Sequence, residues 1–185
     1  NNIRRRLQAH FAARRWRHLK PAFARAQQGE WQVVGSEIEA LLREAQLIRD
    51  LAPPTNVQVS APSLDSRAVP ATLLRDTLVV LPSSEAEAAE LLGVRVDGRA
   101  CLLRVPRDGR GLTARATALR RFFDGAGQGG ECEGAQVFDG CAPLVFSWLA
   151  GRGHAATRLD PHDIPSGREL QRRIKLLLDD DQLFT

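Results

Sequence analysis

The sequence predicts a mixed α/β (α+β) fold, with a partial domain at residues 1–57 and a small α/β domain at residues 73–185. Three observations lead to this prediction. Residues 36–52 have the apolar spacing of an amphipathic helix. The pair Asp97-Gly98 separates two apolar runs, as in a β-hairpin with a type I′ turn. Two more helical patterns follow at residues 112–123 and 166–178. Between the domains, residues 58–72 have the Ser- and Pro-containing composition of a linker.

The first part of the chain is predominantly helical. We expect helices from the start of the chain to about Phe11 and over residues 14–27, then a short strand at residues 31–34. A capping box, Ser36-x-x-Glu39, begins the amphipathic helix, which Pro53 and Pro54 end. One strand does not make a sheet, so this domain is predicted to be incomplete and to need strands from upstream sequence. The chain also begins at Asn1 and contains no Met, which favours a piece of a longer protein.

The second part alternates strands and helices. The predicted order is a strand at 77–81, a helix at 84–92, a hairpin of residues 94–96 and 100–105, and a helix at 112–123. A glycine-rich loop at 125–134 precedes a helix at 143–150 and a strand at 155–159. Ser166 and Glu169 form a second capping box, which begins the last helix.

Composition narrows the functional classes. Hydrophobic residues make up 43% of the 185 residues, which is enough for a packed core. No apolar run approaches the roughly 18 residues of a membrane span, so no membrane association is expected. The three cysteines, Cys101, Cys132 and Cys141, form no CxxC pair, which predicts a reducing, cytoplasmic location rather than a disulfide framework.

Positive charge is concentrated at the start of the chain. The net charge is +4, and no acidic residue precedes Glu30. A basic block without counter-charges favours a polyanion such as DNA, because binding neutralises phosphates and releases counterions. The alternative is a solvated helix face or a flexible arm. The candidate DNA-binding residues are Arg4, Arg5, Arg14, Arg15, Arg17 and Lys20.

Glu44 has an unusual setting for a helical glutamate. Its neighbours three and four positions away are Ala40, Leu41, Leu47 and Ile48, all apolar. A carboxylate at the edge of an apolar stripe is unfavourable unless it is paired or binds a metal. One interpretation is a ligand to Mg²⁺, which accepts one or two carboxylates and keeps several waters. The other is a salt bridge to a basic side chain of another helix, such as Arg6. The spacing of the residues alone does not distinguish the metal ligand from the salt bridge.

Arg6 is the second candidate site residue. It borders the apolar stripe of Ile3, Leu7 and Phe11 more closely than Arg5 does. A guanidinium in that place can bind a phosphate through two parallel hydrogen bonds. The alternative is one arginine among several on a solvated basic face.

Two stretches resemble the nuclease domain of GIY-YIG endonucleases of the UvrC excinuclease type. Residues 2–11, which contain Arg4-Arg5-Arg6, are similar to the segment that follows the YIG-Lys-Ala element of that family. Residues 36–57 are similar to its most distinctive helix, in which a Glu-Ala-Leu-Leu run leads to a single glutamate and then to a Pro-x-Tyr-Asn-Val ending. The order and spacing of both stretches match.

The resemblance implies a role for each matching residue. Arg6 stands at the arginine that contacts the scissile phosphate, and Glu44 at the glutamate that binds the single Mg²⁺ or Mn²⁺ ion. Asn56 stands at the asparagine that helps to hold the active site, and His10 where tyrosine is common. In the family, a tyrosine of the GIY or YIG strand activates the attacking water. This chain contains no tyrosine and neither strand.

The function implied by the resemblance is metal-dependent hydrolysis of DNA phosphodiester bonds in DNA repair. Residues 73–185 are similar to the tail that follows the GIY-YIG domain in fusions with a polymerase-III-epsilon-like exonuclease, which implies an upstream exonuclease domain or other repair proteins as partners. Two alternatives stay open: a non-catalytic DNA-binding or scaffolding module that keeps the nuclease fold, and a structural interaction domain whose basic block contacts protein.

Overall fold

The computed structural model describes residues 4, 5, 8, 27–53, 69–125 and 134–184. The described elements combine helices with one sheet, so the predicted mixed α/β fold class is confirmed. In chain order they are α1 (Glu37–Leu51), a 3₁₀ turn (Ala71–Leu73), β1 (Thr77–Pro82), β2 (Ala88–Val94), β3 (Ala100–Pro106), α2 (Leu112–Phe123), β4 (Ala135–Phe138), α3 (Ala142–Ala150), β5 (Arg158–Leu159), α4 (Gly167–Leu178) and a second 3₁₀ turn (Asp181–Phe184).

The five strands form one antiparallel sheet in the order β4-β3-β2-β1-β5. Strand β2 lies in the middle, and all seven of its residues are buried. Side chains alternate between the two faces along each strand. In this register Glu90 of β2 lies opposite Leu81 of β1 and Arg104 of β3.

Helices cover both faces of the sheet. On one face, α2 and α4 pack against side chains such as Leu91 and Leu103. On the other face, α1 and α3 bury a second cluster with side chains such as Leu92. The sheet is therefore the middle layer of a three-layer arrangement, and each face has its own hydrophobic core.

Helix α1 shares its core with the sheet. Ile38 and Leu42 are fully buried in one cluster with Val79 of β1 and Phe146 of α3. The sequence assigns α1 to the first predicted domain and the sheet to the second. Most of the predicted linker at residues 58–72 lies outside the described residues. The boundary at residue 57 stays a prediction, but the described parts on its two sides form one packed unit.

Most predicted elements of the second part are confirmed. Strand β1, α2, α3 and α4 lie where the sequence places them, β3 matches the second arm of the predicted hairpin, and β5 occupies the last two residues of its predicted range. The first arm of the hairpin is residues 88–94 rather than the predicted 94–96. The Ser36 and Ser166 hydroxyls each accept a hydrogen bond from the backbone N–H three residues later, so both predicted caps are present. Within the described ranges, no helix is long and apolar enough to cross a lipid bilayer.

Three predictions of local structure are wrong. The predicted helix at residues 84–92 is largely β2, because pairing with β1 and β3 on both sides outweighs the helix propensity of its Ala, Glu and Leu residues. Residues 31–34 form no strand. The hairpin turn is not type I′, since Gly98 has a positive φ and Asp97 does not. Strand β4 was not predicted.

The predicted N-terminal helices fall almost entirely outside the described residues. Only Arg4, Arg5 and Gln8 are described before residue 27, and all three are helical and exposed.

Candidate functional site

Glu44 lies on the outer face of α1, away from the sheet. The buried side of the helix is formed by Ile38 and Leu42, with Glu39 beside them. Glu44 is exposed. Of the apolar residues that flank Glu44 on the helix surface, those on one side, Leu41 and Ile48, are half-buried, and those on the other side are exposed.

The exposed flanking residues form a stripe along the outside of α1. Ala40 and Glu44 are exposed, and Leu47 and Leu51 keep 56% and 71% of their accessible surface. The spacing of four, three and four residues places all of them on one helical face. We call residues 40, 44, 47 and 51 the outer stripe. Helix α1 thus has two apolar faces, of which the sheet covers one.

The other predicted site residues do not lie within the described ranges, apart from two arginines. Arg4 and Arg5 are exposed on a helical segment. The remaining predicted positions, outside the described residues, are Arg6, His10, Arg14, Arg15, Arg17, Lys20 and Asn56.

The described residues do not form a metal centre by themselves. They include no group of three or more His, Cys, Asp or Glu side chains able to hold a metal ion. Glu44 offers one accessible carboxylate, and its helical neighbours at i±3 and i±4 supply no second oxygen ligand. A Mg²⁺ ion at Glu44 would therefore need further ligands from other residues or from water.

Two buried carboxylates with ionic partners, which the sequence did not predict, lie where α1 meets the sheet. Glu39 is fully buried, and its Oε1 accepts hydrogen bonds from Arg43 Nε at 3.0 Å and Nη2 at 2.9 Å. Its Oε2 accepts from the Gly35 backbone N–H at 2.9 Å. The Glu39 carboxylate thus accepts hydrogen bonds from the Gly35 backbone, just before the helix, and from the Arg43 guanidinium, one turn further along it.

The second buried carboxylate belongs to the middle strand, β2. Glu90 is 2% exposed, and its Oε1 accepts from Arg104 Nε at 2.6 Å and from the Ser83 hydroxyl at 3.2 Å. Arg104 also donates to Glu85 at 2.6 Å. Burial raises the pKa of Glu90 above its ordinary value; hydrogen bonding to Arg104 opposes this rise, and the nearby charge of Glu39 adds to it.

Gly35 fixes the approach of the chain to α1. A Cβ at this position would lie 2.3 Å from the Pro82 carbonyl oxygen and from the Ser83 carbonyl carbon. The backbone before α1 therefore passes directly over the end of β1, beside Glu90. A buried carboxylate with a raised pKa, such as Glu90, is a feature of many active sites, but structural ion pairs produce it too. The described partners of Glu39 lie within residues 35–43, whereas those of Glu90 are Ser83, just after β1, and Arg104 of β3.

Sequence reasoning missed these two buried ion pairs for two reasons. Glu39 and Arg43 have the spacing of a surface i, i+4 pair, and nothing in the spacing shows that the pair is buried. Glu90 falls in the segment predicted as a helix, which hides its position opposite Arg104 on the neighbouring strand. A strand prediction for residues 88–94 would have revealed a cross-strand Glu–Arg pair.

No protein-family model, curated protein or solved structure matches this chain.

Proposed function

We propose that this chain is part of a Mg²⁺- or Mn²⁺-dependent DNA endonuclease module that acts in DNA repair, with Glu44 as a metal ligand. One observation carries the proposal: Glu44 projects outward from the middle of the helix whose sequence resembles the UvrC-type nuclease. A carboxylate in that position is accessible to an ion and to a DNA phosphate. The buried Glu39 on the same helix is not.

The outer stripe supports a site that other parts of the protein complete. Leu47 and Leu51 expose large apolar surfaces on a helix that is already anchored by its inner face. Apolar side chains aligned on one exposed helical face mark a contact surface. In this proposal, the residues that pack on the outer stripe bring Arg6, His10 and Asn56 towards Glu44, together with further strands of the nuclease domain.

Rigid support of the helix is a second argument. A metal-binding carboxylate works best on an element whose own position is fixed by packing and hydrogen bonds. Helix α1 is fixed by Ile38 and Leu42 on the sheet and by Glu39 at its first turn. The basic block, of which Arg4 and Arg5 are exposed, supplies phosphate contacts in the proposal.

The direct test is nicking of supercoiled plasmid by the protein that contains this chain. We expect nicking with Mg²⁺ or Mn²⁺, none with EDTA, and none with Glu44→Gln. The matched control is Asp50→Asn, which neutralises another exposed acidic residue of the same helix. Metal binding is followed separately by Mn²⁺ titration. Equal nicking by wild type and Glu44→Gln would remove Glu44 from the mechanism.

A non-catalytic DNA-binding or scaffolding module is the second candidate. The observation that favours it is the lack of a metal-ligand group among the described residues. In that case DNA binding should weaken steeply with salt, because phosphate contacts release counterions, while no divalent ion produces nicking. An upstream exonuclease domain or other repair proteins as partners, and a cytoplasmic location, belong to the proposal as well.

A further inference from the structure

A small pocket of about 40 Å³ opens where β5 meets the C-terminal end of α3. Its apolar walls are Leu73 of the first 3₁₀ turn, Leu149 of α3 and Leu159 of β5. A buried water needs roughly 10–15 Å³ of such space, so the pocket has room for about three waters or one compact group of similar size.

The charged groups at this pocket carry a positive surplus. Arg75 lies beside Asp160, with 3.3 Å between Nη1 and Oδ2. The other Asp160 oxygen accepts a hydrogen bond from the His162 backbone N–H at 2.9 Å. Arg158 also lines the pocket, and its described bond goes to the carbonyl oxygen of His154 at 3.3 Å. Within the described ranges, no carboxylate pairs with Arg158, so two guanidinium groups face one carboxylate.

We propose that this pocket binds a phosphate group between Arg75 and Arg158. A guanidinium can donate two parallel hydrogen bonds to two oxygens of an oxyanion. A carboxylate has only two oxygens, so it can accept such a pair of hydrogen bonds from one guanidinium only. A terminal phosphate has three free oxygens and therefore serves both arginines.

Thr77 lies at the pocket, but its hydroxyl does not donate to the phosphate in this proposal. It lines the pocket but is 5% exposed, and its hydroxyl donates to the Arg75 carbonyl oxygen at 2.9 Å. The hydroxyl proton is thus committed to the backbone, and the phosphate contacts come from the two guanidinium groups. Asp160 competes with the phosphate for Arg75, so its charge weakens binding. The site involves neither Glu44 nor the basic block, and it goes beyond the proposed nuclease function.

Titration with inorganic phosphate at low ionic strength tests the proposal, with backbone amide NMR shifts of Thr77 and Leu159 as the readout. We expect saturable shifts at both amides. Arg158→Gln should weaken phosphate binding roughly tenfold, which corresponds to about 1.4 kcal/mol. Asp160→Asn should tighten binding, because it removes the competing charge while its side-chain oxygen can still accept from His162. The control is Arg121→Gln, since Arg121 is exposed on α2, on the opposite face of the sheet.

The proposal requires that Arg158→Gln and Asp160→Asn change the affinity for phosphate in opposite directions. Non-saturable shifts, or equal weakening by Arg158→Gln and Arg121→Gln, would overturn the proposal, as would weaker binding in Asp160→Asn.

A second experiment distinguishes the possible sources of the phosphate group. A short DNA oligonucleotide that carries a 5′-phosphate is compared with the same strand that ends in a 5′-hydroxyl. Tighter binding of the phosphorylated strand identifies a DNA end as the ligand, and equal binding alongside saturable inorganic phosphate identifies a small free phosphate compound.

Discussion

Replacing Leu42 by alanine tests whether α1 and the sheet unfold as one unit. Leu42 is fully buried in one cluster with Val79, Leu92 and Phe146. The change removes three carbon atoms, which at about 0.8 kcal/mol each corresponds to about 2.4 kcal/mol of lost transfer free energy. A residual cavity adds to this, within the range of about 2–5 kcal/mol typical of buried Leu→Ala changes. We therefore expect a loss of about 3–4 kcal/mol in the free energy of unfolding.

The assay combines urea denaturation, followed by circular dichroism, with hydrogen exchange of the sheet amides. A loss of that size is a large part of the roughly 5–15 kcal/mol that stabilises a domain. Leu176→Ala makes the same chemical change on α4, where Leu176 keeps 58% of its accessible surface, and should shift stability by no more than about 0.5 kcal/mol. If Leu42→Ala melts α1 while the Leu92 amide keeps its full protection, α1 belongs to a separate unit and the shared core is refuted.

Three further substitutions test the α1 junction and the last helix by urea denaturation. Gly35→Ala should cost about 1–3 kcal/mol because its Cβ would collide with the Pro82 backbone, whereas Gly29→Ala, which meets nothing within 4 Å, should be neutral. Glu90 has a raised pKa, so the stability that its protonated form provides is present below pH 4.5 and is lost as pH rises through the raised pKa. Wild type should therefore lose stability relative to Glu90→Gln as pH rises from 4 to 7, and a difference that does not change with pH would contradict this. Ser166→Ala should cost about 1 kcal/mol by removing the cap of α4, and Ser166→Asn should recover most of it.

The elements that the sequence predicts well are those with local signals. The serine caps of α1 and α4, the periodic apolar stripes of α2 and α4, and the position (though not the type) of the Asp97-Gly98 turn depend on residues that are close together in the chain. Each signal acts through contacts within a few residues, so no knowledge of the tertiary fold is needed.

Strand β2 shows where local reasoning fails. Its residues, among them Ala88, Ala89, Leu91 and Leu92, are good helix formers, and only the two neighbouring strands make it a strand. The Glu90–Arg104 pair depends on the same long-range register, so the periodicity of a single sequence cannot reveal it. Strand propensity depends strongly on such context.

The two glutamates of α1 show why the candidate site was harder to predict than the helix. Glu39 and Glu44 are five positions apart, and at about 100° per residue they point about 140° away from each other. If the helix buries one of these two glutamates, the other therefore points towards the solvent. Because both faces of α1 carry apolar residues, the spacing does not show which face meets the sheet, and Glu39 is the glutamate that the fold buries. That choice assigns anchoring to Glu39 and leaves Glu44 as the carboxylate of this pair that a metal or a phosphate backbone can reach. The nuclease proposal therefore depends on what packs against the outer stripe, and the comparison of Glu44→Gln with Asp50→Asn examines that face of the helix directly.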